Sequence, residues 1–126
     1  MSIKGKRAVI TGSNSGIGLG IAEELAKLGA DVALNSFSDN DEDHALAEGI
    51  ADAHGVRAVY VQADMSDGAA CRSLISKTAQ ALGGVDILVN NAGIQHVAAI
   101  PDFPPETWDR IIAINLTSSF HTTAAA

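Results

Sequence analysis

The sequence predicts an α/β fold, a doubly wound parallel sheet with helices on both of its faces. Short apolar runs alternate with longer stretches of helical spacing, which is the pattern of repeated strand, helix and strand units. A glycine-rich turn separates the first apolar run from the first helical stretch. Because such units cross over with a right hand, the first strand should lie between the second and the fourth, in the order 3-2-1-4.

Each predicted element is bounded by turn residues or by a capping residue. The strands are expected at residues 7–10, 31–35, 57–62 and 86–90. The first helix is expected at residues 16–28, with Gly29 as C-terminal cap. The second follows the polar stretch 36–43 and ends at about His54, before Gly55, and the third runs from a Ser66 cap to Gly83-Gly84. The last helix begins at Pro104-Pro105-Glu106.

Three parts of these helices carry informative side-chain patterns. The first helix carries a helical pattern of Ile17, Ile21, Leu25 and Leu28. In the last helix, apolar residues and one amide recur at helical spacing: Trp108, Ile111, Ile112, Asn115 and Ser119. Asn115 should therefore interrupt an apolar stripe that faces the sheet, with its amide hydrogen-bonded to backbone or water. The acidic cluster Asp39, Asp41, Glu42 and Asp43 is interpreted as a solvated helix start favoured by the helix dipole.

Length and charge exclude several classes of function. A chain of 126 residues fits one small domain. Its net charge of -7 argues against nucleic acid as a partner, since Lys4, Lys6 and Arg7 form the one basic group. No apolar run approaches the roughly 18 residues of a membrane span, and none fits a signal peptide. We therefore expect a cytoplasmic protein without a membrane partner.

The cysteine and histidine content predicts neither a disulfide nor a metal site. Cys71 is the sole cysteine, and its helical spacing with Leu74, Ile75 and Leu82 predicts a buried side chain. The four histidines are scattered without carboxylates or cysteine at ligand spacing, which predicts that no metal is bound.

The turn after the first strand has the features of a phosphate site. Residues 11–18 read Thr-Gly-Ser-Asn-Ser-Gly-Ile-Gly, so Gly12, Gly16 and Gly18 follow the spacing G-x-x-x-G-x-G. Glycines at a helix start let the backbone approach an anion, and the first N–H groups favour it. The spacing differs from G-x-G-x-x-G and from the P-loop. By itself the motif fits a helix cap equally well, and its place in a strand and helix repeat favours phosphate.

A loop that contains polar residues follows each of predicted strands two, three and four. In chain order these loops begin with Ser36-Phe37, Asp64-Met65 and Asn90-Asn91-Ala92-Gly93. Each could be ordinary loop chemistry, because Asn, Asp and Gly are common in turns. Parallel strands bring these loops to one crevice where the winding reverses, which favours a nucleotide site.

With the glycine turn, Asp64 and the Asn-Asn-Ala-Gly block, the chain resembles the short-chain dehydrogenase/reductase family, whose members have a Rossmann-type fold. The resemblance covers essentially all of this chain but only the N-terminal half of a typical member. It implies that residues 1–126 are the N-terminal part of a single NAD-binding domain, truncated after the helix that follows strand four. The cofactor-binding residues it implies are Gly12, Ser13, Asn14, Ser15, Gly16, Ile17, Gly18, Phe37, Asp64, Met65, Asn91, Ala92 and Gly93.

A finer resemblance concerns the substrate. Segments 35–37, 93–96, 102–104 and 120–121 are similar to the bacterial D-3-hydroxybutyrate dehydrogenases within that family. This implies interconversion of D-3-hydroxybutyrate and acetoacetate, with Gln95 contacting the substrate carboxylate. A neutral amide can donate to a carboxylate without a buried charge of its own. The alternatives are a plain polar loop residue at Gln95, another member such as a 3-oxoacyl reductase or sugar-alcohol dehydrogenase, or a non-catalytic dinucleotide-binding module.

Strand two favours NAD over NADP. The acidic residue that usually binds the ribose hydroxyls would fall near Ser36 and is absent, and so is a basic residue for a 2′-phosphate. Asn14 is also not basic. A phosphate beside Phe37 would be poorly solvated and unpaired, which disfavours NADP.

The resemblance assigns Asn115 to the catalytic set of asparagine, serine, tyrosine and lysine, where its backbone holds a water that relays protons to the lysine. Tyr60 lies inside strand three and begins no Tyr-x-x-x-Lys motif. Without the general acid/base, the rate should fall by about 10² to 10⁴. We therefore expect the 126-residue chain alone to be inactive.

We also expect an exposed apolar surface beyond strand four in this chain. The resemblance further implies that the full-length protein is a homo-oligomer, a tetramer in the family.

Overall fold

A computed structural model describes residues 2–126 and shows four parallel strands flanked by helices. The strands are β1 (Arg7–Ile10), β2 (Asp31–Ser36), β3 (Ala58–Gln62) and β4 (Ile87–Val89), hydrogen-bonded in the order β3-β2-β1-β4. In register, Ala8 lies opposite Val32 on one side and Ile87 on the other. The predicted fold class and strand order are confirmed.

Five α-helices connect and cover the strands. They are α1 (Gly16–Lys27), α2 (Asp41–His54), α3 (Gly68–Leu82), α4 (Pro105–Ile112) and α5 (Ser118–Ala125). A 3₁₀ turn (Ile100–Asp102) precedes α4, and a π-helical segment (Ala113–Thr117) joins α4 to α5. None of the helices among residues 2–126 combines the length and the apolar character needed to cross a lipid bilayer.

The strands alternate their side chains between two cores. Ala8 and Ile10 pack with α1 and α2, while Val9 packs with α3 and with Ile114 of the π-helical segment. This alternation is that of a sheet buried on both faces. Cys71 is fully buried in the second core, as its spacing predicted.

The predicted cap of the third helix is wrong. Asp67, not Ser66, caps α3, because its carboxylate accepts a hydrogen bond from Ala69 N (2.9 Å). In α1 the buried positions are Gly18, Ala22 and Ala26, whereas Ile17 and the C-cap residue Leu28 are exposed. A Cβ on Gly18 would lie 2.5 Å from Gly12 O, so α1 packs too closely against the glycine turn to admit a larger residue at that position.

The last helical region also departs from its predicted stripe. The buried positions are Ile114, Ser118 and Thr122, whereas Trp108 and Asn115 are exposed. The expected buried amide of Asn115 is therefore wrong. Apolar residues occupy two faces of this region, so periodicity alone selected the wrong face. The second face, formed by Trp108, Ile112, Leu116 and Phe120, is exposed, in line with the expected apolar surface beyond strand four.

Candidate functional site

A cleft of about 270 Å³ lies at the carboxyl ends of the strands, where the winding reverses at β1. Nine of the predicted cofactor-binding residues line it: Gly12, Asn14, Ser15, Phe37, Asp64, Met65, Asn91, Ala92 and Gly93. Six further residues complete the lining: Asn35, Ser36, Ala63, Ile94, Arg110 and Ile114. The three predicted loops and the glycine turn thus converge on one site.

The glycine turn leaves the amino end of α1 open. Gly12 and Gly16 have φ angles of 60° and 58°, in the left-handed region that favours glycine. A Cβ on Gly16 would meet no atom within 4 Å, and Ser15 at the N-cap makes no side-chain capping bond. The first turn contains no acidic residue. Uncapped N–H groups above an open glycine fit a phosphate group.

Buried hydrogen bonds hold this turn from below. Ser13 Oγ donates to Ile10 O (2.6 Å) and accepts from Asn35 N (2.9 Å), while Ser13 N donates to Asn35 O (2.6 Å). Asn35 Oδ1 accepts from Gly12 N (3.1 Å), and Asn35 Nδ2 donates to Val61 O (3.0 Å). Ser13 is fully buried, so its side chain and N–H support the turn rather than line the cleft.

Asn35 is a site residue that the sequence analysis did not select. The sequence does contain a clue to this role, because Asn35 is a polar residue at the end of an apolar strand, and a buried polar side chain needs a hydrogen-bond partner. The structure supplies that partner through the glycine turn.

The block after β4 is clamped to the glycine turn. Asn91 Nδ2 donates to Thr11 O (3.1 Å) and Gly12 O (3.0 Å). In return, Thr11 Oγ1 accepts from Asn91 N (2.9 Å) and Ala92 N (2.8 Å). A Cβ on Gly12 would lie 2.9 Å from Ala92 Cα, so glycine is required for this close approach. Beside the clamp, Thr122 Oγ1 donates to Asn90 Oδ1 (2.6 Å) and ties α5 to the end of β4.

Asp64 presents a carboxylate at the end of β3. Its Oδ1 accepts from Ser66 Oγ (2.6 Å) and Ser66 N (3.0 Å). These hydrogen bonds, with a smaller contribution from the charge of Arg110, lower the pKa of Asp64 below its ordinary value. Asp64 is therefore ionised at neutral pH. Arg110 was missed, because a single charged residue in a predicted helix gives no signal that it will face a cleft.

A second carboxylate lies behind the cleft wall. Asp43 accepts hydrogen bonds from Asn14 Nδ2 (3.1 Å), Ser38 Oγ (2.7 Å) and Asn40 N (3.3 Å). Asn40 caps α2 and accepts from Asp43 N (2.9 Å). Asp43 is only 4% exposed. The interpretation of the acidic cluster as a solvated helix start is therefore wrong for Asp43, although the other members, Asp39, Asp41 and Glu42, are exposed.

The remaining predicted residues lie beside the cleft and do not line it. Gly16 and Ile17 are exposed at the start of α1, and Gly18 is buried beneath the turn. Gln95 is exposed in the loop after Ile94.

The side-chain amide of Asn115 binds the backbone of Ile94. Asn115 Oδ1 accepts from Ile94 N (2.8 Å) and its Nδ2 donates to Ile94 O (2.9 Å). Its amide is satisfied by backbone, one of the two partners considered, and Asn115 fixes a cleft-lining residue.

Asn115 lies within the π-helical segment. Short π-helical stretches inside α-helices are frequent at functional sites. Among residues 2–126, His, Cys, Asp and Glu side chains form no group of three or more that could hold a metal ion.

The chain is similar to curated dehydrogenases over almost its whole length. It is 56% identical over 124 residues to a D-beta-hydroxybutyrate dehydrogenase from Cupriavidus necator, covering 98% of this chain and 47% of that protein. It is 50% identical over 121 residues to a D-beta-hydroxybutyrate dehydrogenase from Rhizobium meliloti, covering 96% of this chain and 47% of that protein. The chain thus spans about half the length of these curated relatives.

Solved structures show the same fold. A short chain dehydrogenase from Burkholderia cenocepacia, crystallised in complex with NADP, superposes with a TM-score of 0.93 at 39% identity. The match covers 100% of this chain and 51% of the other. The family model described as short chain dehydrogenase matches residues 6–126. This chain therefore belongs to the short-chain dehydrogenase family of oxidoreductases.

Proposed function

We propose that the protein containing this chain is an NAD-dependent oxidoreductase that interconverts D-3-hydroxybutyrate and acetoacetate. The observation that supports it most is the convergence of the open glycine turn, Asp64 and the Asn91 clamp on one cleft. Identities of 56% and 50% to proteins named D-beta-hydroxybutyrate dehydrogenase support the choice of substrate.

The residues present fit a nicotinamide dinucleotide. The uncapped N–H groups at the start of α1, from Gly16 to Gly18, would hold the pyrophosphate. Asp64, an ionised acceptor, would accept a hydrogen bond from the adenine amino group, and Met65 would pack beside it. The cofactor, when bound, supplies the acceptor or donor of the hydride.

The loop after β4 would place the substrate. Asn115 binds both backbone polar groups of Ile94 and so fixes the residue that precedes Gln95. Gln95 is exposed and can donate from its amide to the carboxylate of a short hydroxy acid. In this proposal Asn115 belongs to the catalytic set, with its side chain positioning the loop and its backbone holding a water.

The charges around the cleft favour NAD. Arg110 is the basic residue among those that line the cleft, and its charge acts on Asp64. The end of β2 and the loop after it contribute Ser36 and Phe37 to the lining, and neither is a cation that could pair with a 2′-phosphate. A phosphate placed there would lose solvation without compensation.

The 126-residue chain by itself should bind the cofactor without turnover, because no Tyr-x-x-x-Lys lies within it. At full length we expect a cytoplasmic homo-oligomer, a tetramer by analogy with the family. Sedimentation of the full-length protein would test the tetramer, and a monomer would contradict it.

The substrate assignment is tested with Gln95→Ala and the control Gln80→Ala, a glutamine of α3 that lines no part of the cleft. NADH formation by the full-length protein is followed as the concentration of D-3-hydroxybutyrate is varied. We expect the KM to rise about tenfold or more for Gln95→Ala, since a charge-assisted hydrogen bond is lost. An unchanged KM for Gln95→Ala would refute the carboxylate-binding role, and no NADH formation by the unmodified protein would refute the proposed reaction.

A further inference from the structure

The wall of the cleft beside Phe37 is backed by a buried negative charge. Asp43 lies in the first turn of α2 and is 4% exposed, whereas its neighbours Asp41 and Glu42 are exposed. It lies against Asn14, which comes from the glycine turn and lines the cleft. Asp43 thus joins the two loops that face this end of the cleft.

The hydrogen bonds fix which way the Asn14 amide points. Its Nδ2 lies 3.1 Å from Asp43 Oδ1 and 3.4 Å from Ser38 Oγ. An ionised carboxylate can only accept hydrogen bonds, so it holds the donor end of the Asn14 amide towards itself. The oxygen end then points away from Asp43. Among residues 2–126 no group donates to Asn14 Oδ1, and this oxygen is not one of the buried atoms that lack a partner.

The carboxylate is charged at neutral pH. Burial alone raises the pKa of Asp43, but hydrogen bonds from Ser38, Asn14 and the Asn40 amide outweigh it and leave the pKa below its ordinary value. The surroundings screen this charge poorly, because the group is almost fully buried.

The position matters because of how a dinucleotide is built. The adenosine ribose connects the adenine to the pyrophosphate, so it must lie between Asp64 and the glycine turn. Asn14 comes from the glycine turn after β1, and Ser36 and Phe37 come from the end of β2, the strand that lies between β1 and β3; all three line the cleft.

We propose that Asp43 sets the cofactor preference of this protein through Asn14, by presenting an amide oxygen to the ribose. This inference rests on the proposed function, which supplies the dinucleotide. A ribose hydroxyl can donate to that oxygen. A 2′-phosphate carries only acceptors and negative charge, so it gains no hydrogen bond from Asn14 Oδ1 and is repelled by that oxygen. Asp43 is a positioning residue that replaces the acidic residue missing near Ser36.

The test measures dissociation constants for NAD and NADP with the full-length protein and four variants. Asp43→Asn removes the charge, and the new side-chain amide can donate a hydrogen bond to Asn14 Oδ1. The Asn14 amide can then rotate so that its NH₂ group faces the cleft. Asp41→Asn, the matched control, removes an exposed charge from the same helical turn. Asn14→Ala removes the amide, and the double variant tests whether Asp43 acts through it.

We expect Asp43→Asn to lower the ratio of the NADP to the NAD dissociation constant by about tenfold, mainly through tighter NADP binding. Asp41→Asn should change the ratio less than twofold. The double variant should match Asn14→Ala alone, because the two residues act in series. If circular dichroism shows that Asp43→Asn does not fold, Asn14→Ala leaves the α2 cap intact and should still lower the ratio.

An unchanged ratio in Asn14→Ala, or an equal change in Asp41→Asn, would overturn the inference while leaving dinucleotide binding in place. A wild-type preference for NADP would overturn it in the same way. If the wild-type protein binds neither nucleotide, the proposed function fails, and this inference fails with it.

Discussion

The floor and the rim of the cleft are built differently. On the floor, Ser13 and Asn35 are fully buried and bound to each other and to neighbouring backbone. On the rim, Ile17 and Phe37 are 78% and 76% exposed. A floor whose polar groups are satisfied in advance can hold its N–H groups in place before a ligand arrives. The rim gains its contacts only when a ligand or another part of the protein covers it.

The largest expected effect comes from crowding the floor. Gly18→Ala would place a Cβ 2.5 Å from Gly12 O and from Asn91 Nδ2, so the glycine turn or α1 must move. We expect the free energy of unfolding to fall by roughly 3 kcal/mol, with loss of cofactor affinity. Urea unfolding of the full-length protein measures it.

Gly20→Ala is the matched control for that substitution. It lies in the same helix, but its added Cβ would meet no atom within 4 Å. It should raise the free energy of unfolding by up to about 1 kcal/mol, because alanine favours a helix. Equal destabilisation by both variants would show that Gly18 is required only as part of the helix and not for close packing of the floor.

The next effect concerns the clamp between the glycine turn and the block after β4. Thr11→Val keeps the shape of a buried side chain but removes the acceptor of Asn91 N and Ala92 N. We expect a loss of about 2–3 kcal/mol in unfolding free energy, since two donors lose their partner.

Thr78→Val offers the opposite case. Thr78 is also fully buried, but its Oγ1 has no hydrogen-bond partner among the described residues. The same substitution should there be neutral or stabilising, because an unsatisfied hydroxyl is removed from the core. If Thr78→Val lowers the free energy of unfolding as much as Thr11→Val does, the hydrogen bonds of the clamp contribute little to stability.

The amino end of the sheet supplies a reference far from the cleft. Asp86 accepts hydrogen bonds from Arg7 Nε (2.8 Å) and Arg7 N (2.9 Å), and these lower the pKa of Asp86 to about 2. A carboxylate whose pKa is lower in the folded state stabilises the fold above its ordinary pKa near 4, and this contribution is lost as pH falls towards 2.

Asp86→Asn should therefore flatten the decline in stability between pH 5 and pH 3 without changing the NAD dissociation constant at neutral pH. Thermal unfolding across this range measures the decline. The control is Asp52→Asn, which changes an exposed aspartate of α2 that forms no ion pair within residues 2–126. An unaltered slope in Asp86→Asn would show that the pair with Arg7 does not contribute to acid stability.

The smallest effect on stability is expected on the rim. Phe37→Ala removes a side chain that is mostly exposed, so the unfolding free energy should change by less than about 0.5 kcal/mol. The affinity for NAD should nevertheless fall, because the ring lines the cleft. A large loss of stability would show that Phe37 packs into the fold and would weaken the distinction between floor and rim.

Features set by local sequence were predictable. The strand order follows from the alternation of elements, and the cleft follows from polar residues that end parallel strands, because such ends meet at one edge. Gly12 and Gly16 were identified from their spacing in the glycine turn, and their positive φ angles give a physical reason for glycine at both positions.

Features set by distant contacts were not predictable. The burial of Asp43 depends on Asn14, which lies 29 positions earlier in the chain, while the acidic run around Asp43 resembles a solvated helix start. The buried face of the last helical region was misjudged because Trp108 and Ile114 lie on different apolar faces of that region. Arg110 reaches the cleft only through the path of α4, which no local pattern specifies.

The central claim is that the open amino end of α1 holds the pyrophosphate of the cofactor. A crystal structure of the full-length protein with NAD tests it most directly. We predict phosphate oxygens within hydrogen-bonding distance of backbone N–H groups in the segment from Ser15 to Gly18, with the adenine beside Asp64. A nucleotide bound at any other place on the protein would contradict the claim.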